Sequence, residues 1–499
     1  MAFDLKNLQN GSDVRGIAWE GVPGEEVNLT EENVGRIAGA FIYWLSQKVQ
    51  KNPVMLKVCV GHDPRVSAET LKSGILKAFN MWGVEGHDAG LASTPAMFMA
   101  TVLPQFEFDG SIMITGSHLP YNRNGLKFFT AEGGLEKEDV SEILRLANKY
   151  TFIGEVYDEH KTNVMQMYAA YLRQMLSMGL KGVPGGLKGM HIVVDAGNGS
   201  GGFFANEVLA PLGADISGSV FLEPDGTFPN HQPNPEDKDA LASIRKAVLD
   251  NNADLGIIFD ADVDRSSAVG PDGKLIAKDA LIALAAAIAA EDYPGGTVVT
   301  DSVTSNALTD YLENDLGLKH FRYKRGYRNV IDKAKELMAE GETAFLAIET
   351  SGHAAYSDNY FLDDGAFLAA QIVINAAKLK AEGKTINALI EGFKQPAESW
   401  SIRLKLNAED YSEFADRVLE DMKKWVGLTE GLELAEPNYE GVRVNFDIDG
   451  SKGWFLMRKS LHEAILPLDI MSADNGGIRK VLPHIGEFLM KYEGIEVPR

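Results

Sequence analysis

Lys57-Val58-Cys59-Val60-Gly61-His62-Asp63 opens the pattern that decides the fold. A β-branched apolar run breaks into a polar turn, an amphipathic stretch follows, and Gly83-Val84 begins a second apolar run. The same order runs from Ile192-Val193-Val194-Asp195 to Leu212-Gly213, and again from Thr297-Val298-Val299-Thr300-Asp301 to Leu316-Gly317. Strands alternating with helices predict mixed, mostly parallel sheets covered by helices on both faces. Three loose copies predict three related α/β domains. The end of the chain reads differently. Residues 400–406 and 442–447 alternate like strands around a helical stretch, which predicts a smaller C-terminal α+β domain.

Working outward, Thr30 can cap a helix through Ile37, Phe41 and Leu45, with Glu31 and Glu32 at its positive end. Polar residues 155–162 precede an amphipathic helix over 164–178. The Gly270-Pro271-Asp272-Gly273 turn and Gln395-Pro396 mark two further breaks. The expected domains are therefore 1–162, 163–272, 273–396 and 397–499. The 499 residues carry 48 basic and 71 acidic side chains, a net charge of −23. That balance excludes a general nucleic-acid binder, which needs a basic footprint. The single cysteine, Cys59, sits in an apolar strand and reads as an inert core thiol. The N-terminus lacks the apolar core of a signal peptide. The longest apolar run, 280–290, is far short of the ~20 residues a membrane helix needs. The class expected is a cytoplasmic multidomain enzyme or binding protein, with neither nucleic acid nor membrane as partner.

Four stretches can carry chemistry. In Ile257-Ile258-Phe259-Asp260-Ala261-Asp262-Val263-Asp264-Arg265 an apolar strand delivers three alternate carboxylates into a turn. Clustered buried carboxylates repel and need a cation, and oxygen ligands suit Mg²⁺. A solvated acidic turn is the plain alternative. An EF-hand fits poorly, because position six is Arg265 and position twelve is Pro271. An aspartyl-phosphate phosphotransferase, with Asp260 as nucleophile, is a stronger rival. In Ile112-Met113-Ile114-Thr115-Gly116-Ser117-His118-Leu119-Pro120 a strand delivers Ser117 beside His118, with Asn124-Gly125-Leu126-Lys127 following. A serine next to a histidine can be a nucleophile or simply a turn residue. Glu349-Thr350-Ser351-Gly352-His353 offers acid, hydroxyl and imidazole for sugar hydroxyls. Arg458-Lys459-Ser460-Leu461-His462-Glu463 offers cations and a hydroxyl for a phosphate dianion, or a basic surface turn. Gly197-Asn198-Gly199-Ser200-Gly201-Gly202, with Glu223 downstream, formally matches a dinucleotide fingerprint. Tight turning explains those glycines equally well.

In order and spacing these four stretches resemble the α-D-phosphohexomutase superfamily. Its T-A-S-H-N-P loop reads Thr115-Gly116-Ser117-His118-Leu119-Pro120, and its D-G-D-G-D-R loop reads Asp260-Ala261-Asp262-Val263-Asp264-Arg265. Its G-E-x-S-G-H loop has Ile348 in place of the first Gly. Its R-P-S-x-T-E-P loop keeps Arg458, Ser460 and Glu463, with His462 for Thr and Ala464 for the second Pro. Gly11-Ser12-Asp13-Val14-Arg15-Gly16, Val60-Gly61-His62-Asp63-Pro64-Arg65 and Lys324-Arg325-Gly326-Tyr327-Arg328 give smaller matches. The resemblance spans about residues 10 to 472 and implies three α/β domains plus a fourth around a central cleft, the fourth acting as a lid.

The resemblance also implies roles. Ser117 carries the phosphoryl group, and Ser117, Asp260, Asp262 and Asp264 hold Mg²⁺. Arg15 and Arg265 stabilise the transferring phosphate, while Lys127, His118 and His353 assist proton transfer. Glu349 and Ser351 bind sugar hydroxyls, Gly326, Tyr327 and Arg328 help choose the sugar's orientation, and Arg458, Lys459, Ser460 and His462 hold the phosphate that is not reacting. The implied reaction interconverts the 1- and 6-phosphates of mannose or glucose through a hexose 1,6-bisphosphate, which also serves as activator. A phosphoglucosamine mutase is the alternative, because its sugar loop also reads Glu-x-Ser-Gly-His. An aspartyl-phosphate enzyme and a dinucleotide-dependent oxidoreductase are the alternatives of other classes.

Overall fold

The computed structural model of the protein describes residues 3–152, 154, 160–460 and 463–496. The chain packs into two compact units, one formed by 1–277 with 351–388, the other by 278–350 with 389–499.

The first unit holds two sheets. In the larger, Lys57–His62 is central and pairs in parallel with Glu85–Leu91 and Gly110–Ile114. Arg123–Thr130 turns back antiparallel on Gly110–Ile114 and is itself paired by Asp13–Ile17. Helices Glu31–Val49, Ala68–Trp82 and Lys137–Ala147 bury their apolar faces in the same core. Thr30 caps the first of them, accepting from the Asn33 amide at 3.2 Å, as its sequence position predicts. Cys59 is fully buried in the central strand, and burial with nearby Asp88 pushes its thiol pKa up, so it is unreactive. In the smaller sheet Ile192–Asp195 runs parallel to Leu255–Phe259, and Ser266–Val269 and Leu275–Ile276 continue it antiparallel.

The helix predicted over 164–178 spans Val164–Gly179. It packs against Gly365–Ala381, a helix contributed by the second stretch of the unit. The approach is close, since a Cβ on Gly179 would meet Ile374 at 2.5 Å. Asp364 caps Gly365–Ala381 through the Phe367 amide and also accepts from Tyr168 Oη at 2.5 Å.

The repeated pattern is regular only in its first copy, where Gly83 in the left-handed region ends Ala68–Trp82 and a full strand follows. In the second copy the amphipathic helix is replaced by a π-helical turn, Phe204–Leu209, and a 3₁₀ turn, Ala210–Leu212. Pro211 lacks the amide a continuing helix needs. The strand expected after Gly213 survives only as single bridges at Asp215 and Val220.

In the second unit Thr297–Thr300 lies between Lys319–Arg322 and Ala344–Ile348, all parallel. The apolar run expected as a buried helix forms Asp279–Ala289. The C-terminal part is a six-stranded antiparallel sheet in the order Leu432–Leu434, Val442–Ile448, Ser451–Met457, Ile465–Ser472, Glu398–Leu406, Ile495–Glu496. Helices Tyr411–Val426 and Gly477–Leu489 cover one face and share its core. This is the α+β domain expected from the alternation. Among the described residues no helix is long and apolar enough to cross a membrane.

Candidate active site

Two strand ends build the site in the first unit. Gly110–Ile114 and Leu255–Phe259 are buried along their whole length, so each must deliver the polar residues after it into the interior. Both loops contain a non-glycine residue in the left-handed region, Ser117 at φ +50° and Val263 at φ +68°. For a β-branched valine that conformation is an outlier, and strain of this kind costs on the order of 1–3 kcal/mol. Hydrogen bonds from Ser117 N to Thr115 Oγ1 (2.8 Å) and from Gly365 N to Val263 O (3.1 Å) help hold the two turns.

The two loops meet at Ser117 Oγ. The hydroxyl lies 3.2 Å from Asp260 Oδ2, 3.3 Å from His118 Nδ1 and 3.1 Å from Arg265 Nη2, which donates to it. Arg265 also donates from Nε (3.0 Å) and Nη2 (2.9 Å) to Asp260 Oδ2. Burial, Arg265 and Arg15 push the His118 pKa down to about 2, so its imidazole is neutral at ordinary pH. Arg15 donates to the Thr115 carbonyl and to Asp13 Oδ2, the latter at 2.7 Å. Lys127 lies between Asp13 (3.3 Å) and Asp264 (3.4 Å). Burial alone would raise the Asp13 carboxyl, but Lys127 and Arg15 outweigh it and hold it low.

Asp260, Asp262 and Asp264 are all buried and each offers an oxygen within 4.8 Å of the others. Burial and the Asp264 charge raise the pKa of both Asp260 and Asp262. Thr94 Oγ1 donates to Asp262 Oδ2 at 2.5 Å, while Asp262 Oδ1 and Asp264 Oδ1 have no hydrogen-bond partner. Unpartnered carboxylate oxygens facing one another in a buried triad fit a small hard cation. His353 sits beside the triad, 3.8 Å from Asp264, and is paired with Asp363. Burial opposes its charge, but Asp363 and Asp264 raise its pKa to about 9. Gly352, at φ +97°, permits the approach, because a Cβ there would lie 2.6 Å from the Ser266 carbonyl. Ser351 is buried in the same unit.

The remaining candidates lie in the second unit. Glu349 Oε1 accepts from the Gly326 amide at 2.6 Å, and Tyr327 and Arg328 open the following helix, Tyr327–Ala339. Arg328 pairs with Asp332 on that helix at 3.1 Å. Arg458 is 3.9 Å from Asp469, and Ser460 Oγ accepts from the Glu463 amide at 3.2 Å. Lys459 reaches both carboxylate oxygens of Asp416 at 2.7 Å, so its ammonium is engaged with helix Tyr411–Val426. His462 lies outside the described residues.

Asp301, in the second unit, was not singled out in the sequence. Burial and Glu349 raise its pKa to about 7. A carboxyl raised on folding makes the native state bind the extra proton, so the native state loses stability as pH climbs from the unfolded value to about 7. Asp301→Asn, which keeps an acceptor for Thr350 Oγ1, is therefore expected to raise the melting temperature by several degrees at pH 8 and little at pH 4. Thermal melts of both proteins across that range check it.

Asp13, Asp63, Arg65, Thr94, Gln232 and Asp363 were also missed as site residues. Asp13 left a signal, since it alternates with Arg15 on one short strand and so shares its face, and Asp63 and Arg65 stand in the matched stretch Val60-Gly61-His62-Asp63-Pro64-Arg65. The glycine-rich turn serves the chain itself. A Cβ on Gly199 would lie 2.7 Å from Ala261 Cα, and one on Gly202 would lie 2.2 Å from the Leu222 carbonyl. These contacts explain the glycines and remove the reason for a dinucleotide at this turn.

Comparison with known proteins agrees with this geometry. The three phosphoglucomutase/phosphomannomutase alpha/beta/alpha domain models match in order, domain I over 6–154, domain II over 167–273 and domain III over 277–395. A phosphoglucomutase/phosphomannomutase of Thermococcus kodakarensis is 30% identical over 465 residues, 91% of this chain and 92% of that protein. A phosphomannomutase/phosphoglucomutase of Pseudomonas syringae pv. tomato is 28% identical over 431 residues, covering 85% and 86% of the two chains. A crystal structure of a phosphoglucomutase/phosphomannomutase family protein from Burkholderia thailandensis superposes with a TM-score of 0.79, covering 99% of each chain at 23% identity. With all three domain models matched and its serine and aspartate loops meeting at one hydroxyl, the chain belongs to the phosphoglucomutase/phosphomannomutase family of enzymes.

Proposed function

We propose that this protein interconverts the 1- and 6-phosphates of mannose and glucose, with Ser117 as the phosphoryl carrier. The observation that carries the reading is the position of Ser117 Oγ, within 3.3 Å of Asp260, Arg265 and His118 in one buried cluster. In the first half-reaction the bond between phosphorus and Ser117 Oγ breaks as a bond from phosphorus to a sugar oxygen forms; in the second, the bond from phosphorus to the other sugar oxygen breaks as Ser117 Oγ takes that phosphoryl group back. The attacking hydroxyl, the sugar's and then that of Ser117, passes its proton to an enzyme base, and the leaving oxygen, that of Ser117 and then the sugar's, takes one up. Lys127 lies beside the serine loop between Asp13 and Asp264, placed to pass that proton once its own ammonium has given one up. Neutral His118 and the paired His353 flank the same space. Arg265 and Arg15 would counter charge on the transferring group, and both are held in place by carboxylates. Asp260, Asp262 and Asp264, with Ser117, would hold Mg²⁺, which when bound supplies positive charge to the serine oxygen and the phosphate. Glu349 and Ser351 would bind sugar hydroxyls. Arg458, Lys459 and Ser460 would hold the distal phosphate, Lys459 by giving up Asp416.

The aspartyl-phosphate reading is disfavoured by Asp260 itself. One of its oxygens accepts twice from the Arg265 side chain and the other accepts from the Arg265 amide, which restrains it from attack. The names of the relatives favour mannose and glucose over glucosamine. Incubation with glucose 1,6-bisphosphate and Mg²⁺, followed by peptide mapping, is expected to place an acid-stable phosphate on Ser117. An acid-labile phosphate on Asp260, or none on either residue, would sink the reading. Turnover of mannose, glucose and glucosamine 1-phosphates then ranks the sugars.

A further inference from the structure

Arg65 makes no contact with the triad's oxygens, yet every N–H of its guanidinium is spent on or beside the serine loop. Nε donates to Asp63 Oδ2 at 3.0 Å. Nη1 donates to the carbonyls of Pro120 (2.5 Å) and Arg123 (2.9 Å), and Nη2 to those of Ser117 and Leu119, both at 2.6 Å. A guanidinium has five N–H donors in a fixed plane, and all five are used. The group is 2% exposed, and Phe228 covers its face with the ring centroid 4.9 Å from Cζ. Gly116 leaves the room it needs, because a Cβ there would lie 2.6 Å from Arg65 Cζ. Two further carbonyls of the loop are taken by side chains, Thr115 by Arg15 and His118 by Gln232 Nε2 at 2.6 Å. Asp63 completes the grip from the other side, accepting from Thr115 Oγ1 at 2.8 Å and from the Gly116 amide at 3.3 Å.

We propose that Arg65, seconded by Gln232, is the positioning residue for the phosphoryl-carrying serine: by binding the loop's carbonyls it holds Ser117 in its left-handed backbone, with Oγ turned to Asp260 and Arg265. The chemistry of the loop makes the need plain. A turn that carries a doubly charged phosphate must aim its carbonyl dipoles away from that charge, and Arg65 fixes four of them. Lysine would bring three donors from a point and could not span four carbonyls and a carboxylate. The proposal rests on the phosphoserine reading above, and its test separates the two.

Arg65→Lys and Gln232→Ala are compared with the unaltered protein by rapid-quench phosphorylation of Ser117 from glucose 1,6-bisphosphate. Hydrogen exchange at the amides of 116–119 and 121 is followed in parallel. A displacement of about 1 Å costs about a hundredfold, so Arg65→Lys is expected to phosphorylate Ser117 about a hundredfold more slowly. KM for hexose 1-phosphate should stay within about twofold, because Arg65 binds the serine loop and is none of the proposed sugar ligands. Loop amides should exchange faster. Gln232→Ala, which removes one exposed bond, should slow the same step several-fold with an unchanged melting temperature. Native-rate phosphorylation or native exchange in a folded Arg65→Lys protein overturns the proposal. If Arg65→Lys does not fold, Gln232→Ala decides, a native rate overturning the proposal and a several-fold loss upholding it. If the unaltered protein takes no phosphate on Ser117, the phosphoserine reading fails, and loop exchange still decides the clamp.

Discussion

Ser117→Ala is expected to lower mutase turnover about 10⁴-fold or more while the protein stays folded. The hydroxyl is the only group the proposed reaction makes and breaks bonds to on the enzyme. Its loss also removes one contact each to Asp260, Arg265 and His118, but the first two remain joined through Nε and Nη2 at 3.0 and 2.9 Å. The cost in stability should therefore stay near 1 kcal/mol, the usual net worth of a hydrogen bond. Ser117→Gly makes a useful companion. Glycine adopts a φ of +50° without the Cβ penalty, so this variant should melt above Ser117→Ala and be as inactive. Turnover in a coupled assay, read beside melting curves, checks both. Activity within tenfold of native in either variant would mean that another group carries the phosphate.

Asp262→Asn should move stability in opposite directions with and without metal. Without it, the substitution removes one of three mutually repelling buried carboxylates, so the melting temperature in EDTA is expected to rise. Asparagine keeps an acceptor for Thr94 Oγ1. With Mg²⁺, the native protein gains about 2.7 kcal/mol at a hundred times the dissociation constant, and the variant should lose nearly all of that gain. Turnover is expected to fall roughly 10²–10³-fold, the range for removing one electrostatic element of a transition state. A variant that melts lower in EDTA and keeps the full magnesium shift would remove the triad as a metal site.

What could be read from the sequence follows the physics of strand ends. Gly110–Ile114 and Leu255–Phe259 are apolar throughout, so the polar residues after them had to enter the interior, and Ser117 and Asp260 do. The family's loops, once matched, covered the rest of the nominated groups. Arg65 shows what local pattern cannot carry. It lies just past the strand Lys57–His62, and apart from Asp63 its partners lie 52 to 58 positions away. Asp363 was hidden in the same way, because its partner His353 is met only through a hairpin that the sequence does not announce. The π-helical turn at Phe204–Leu209 was unreadable because its apolar spacing also suits an ordinary helix. The pairing of Lys459 with Asp416 was not legible either, because only the fold brings that residue's helix to it.

The interleaving of the two units also sets a timetable for synthesis. The first unit takes in 1–277 and then 351–388, so its chain is interrupted by seventy-three residues that belong elsewhere. Until Gly365–Ala381 has been made, the helix Val164–Gly179 lacks one of the helices it packs against, and Tyr168 lacks Asp364. His353 and Asp363 arrive in the same late segment. A nascent chain that has passed residue 277 therefore carries its serine and aspartate loops in an unfinished body, with hydrophobic surface still uncovered. Cutting the gene at the boundary between the second and third matched domains would leave that state permanent.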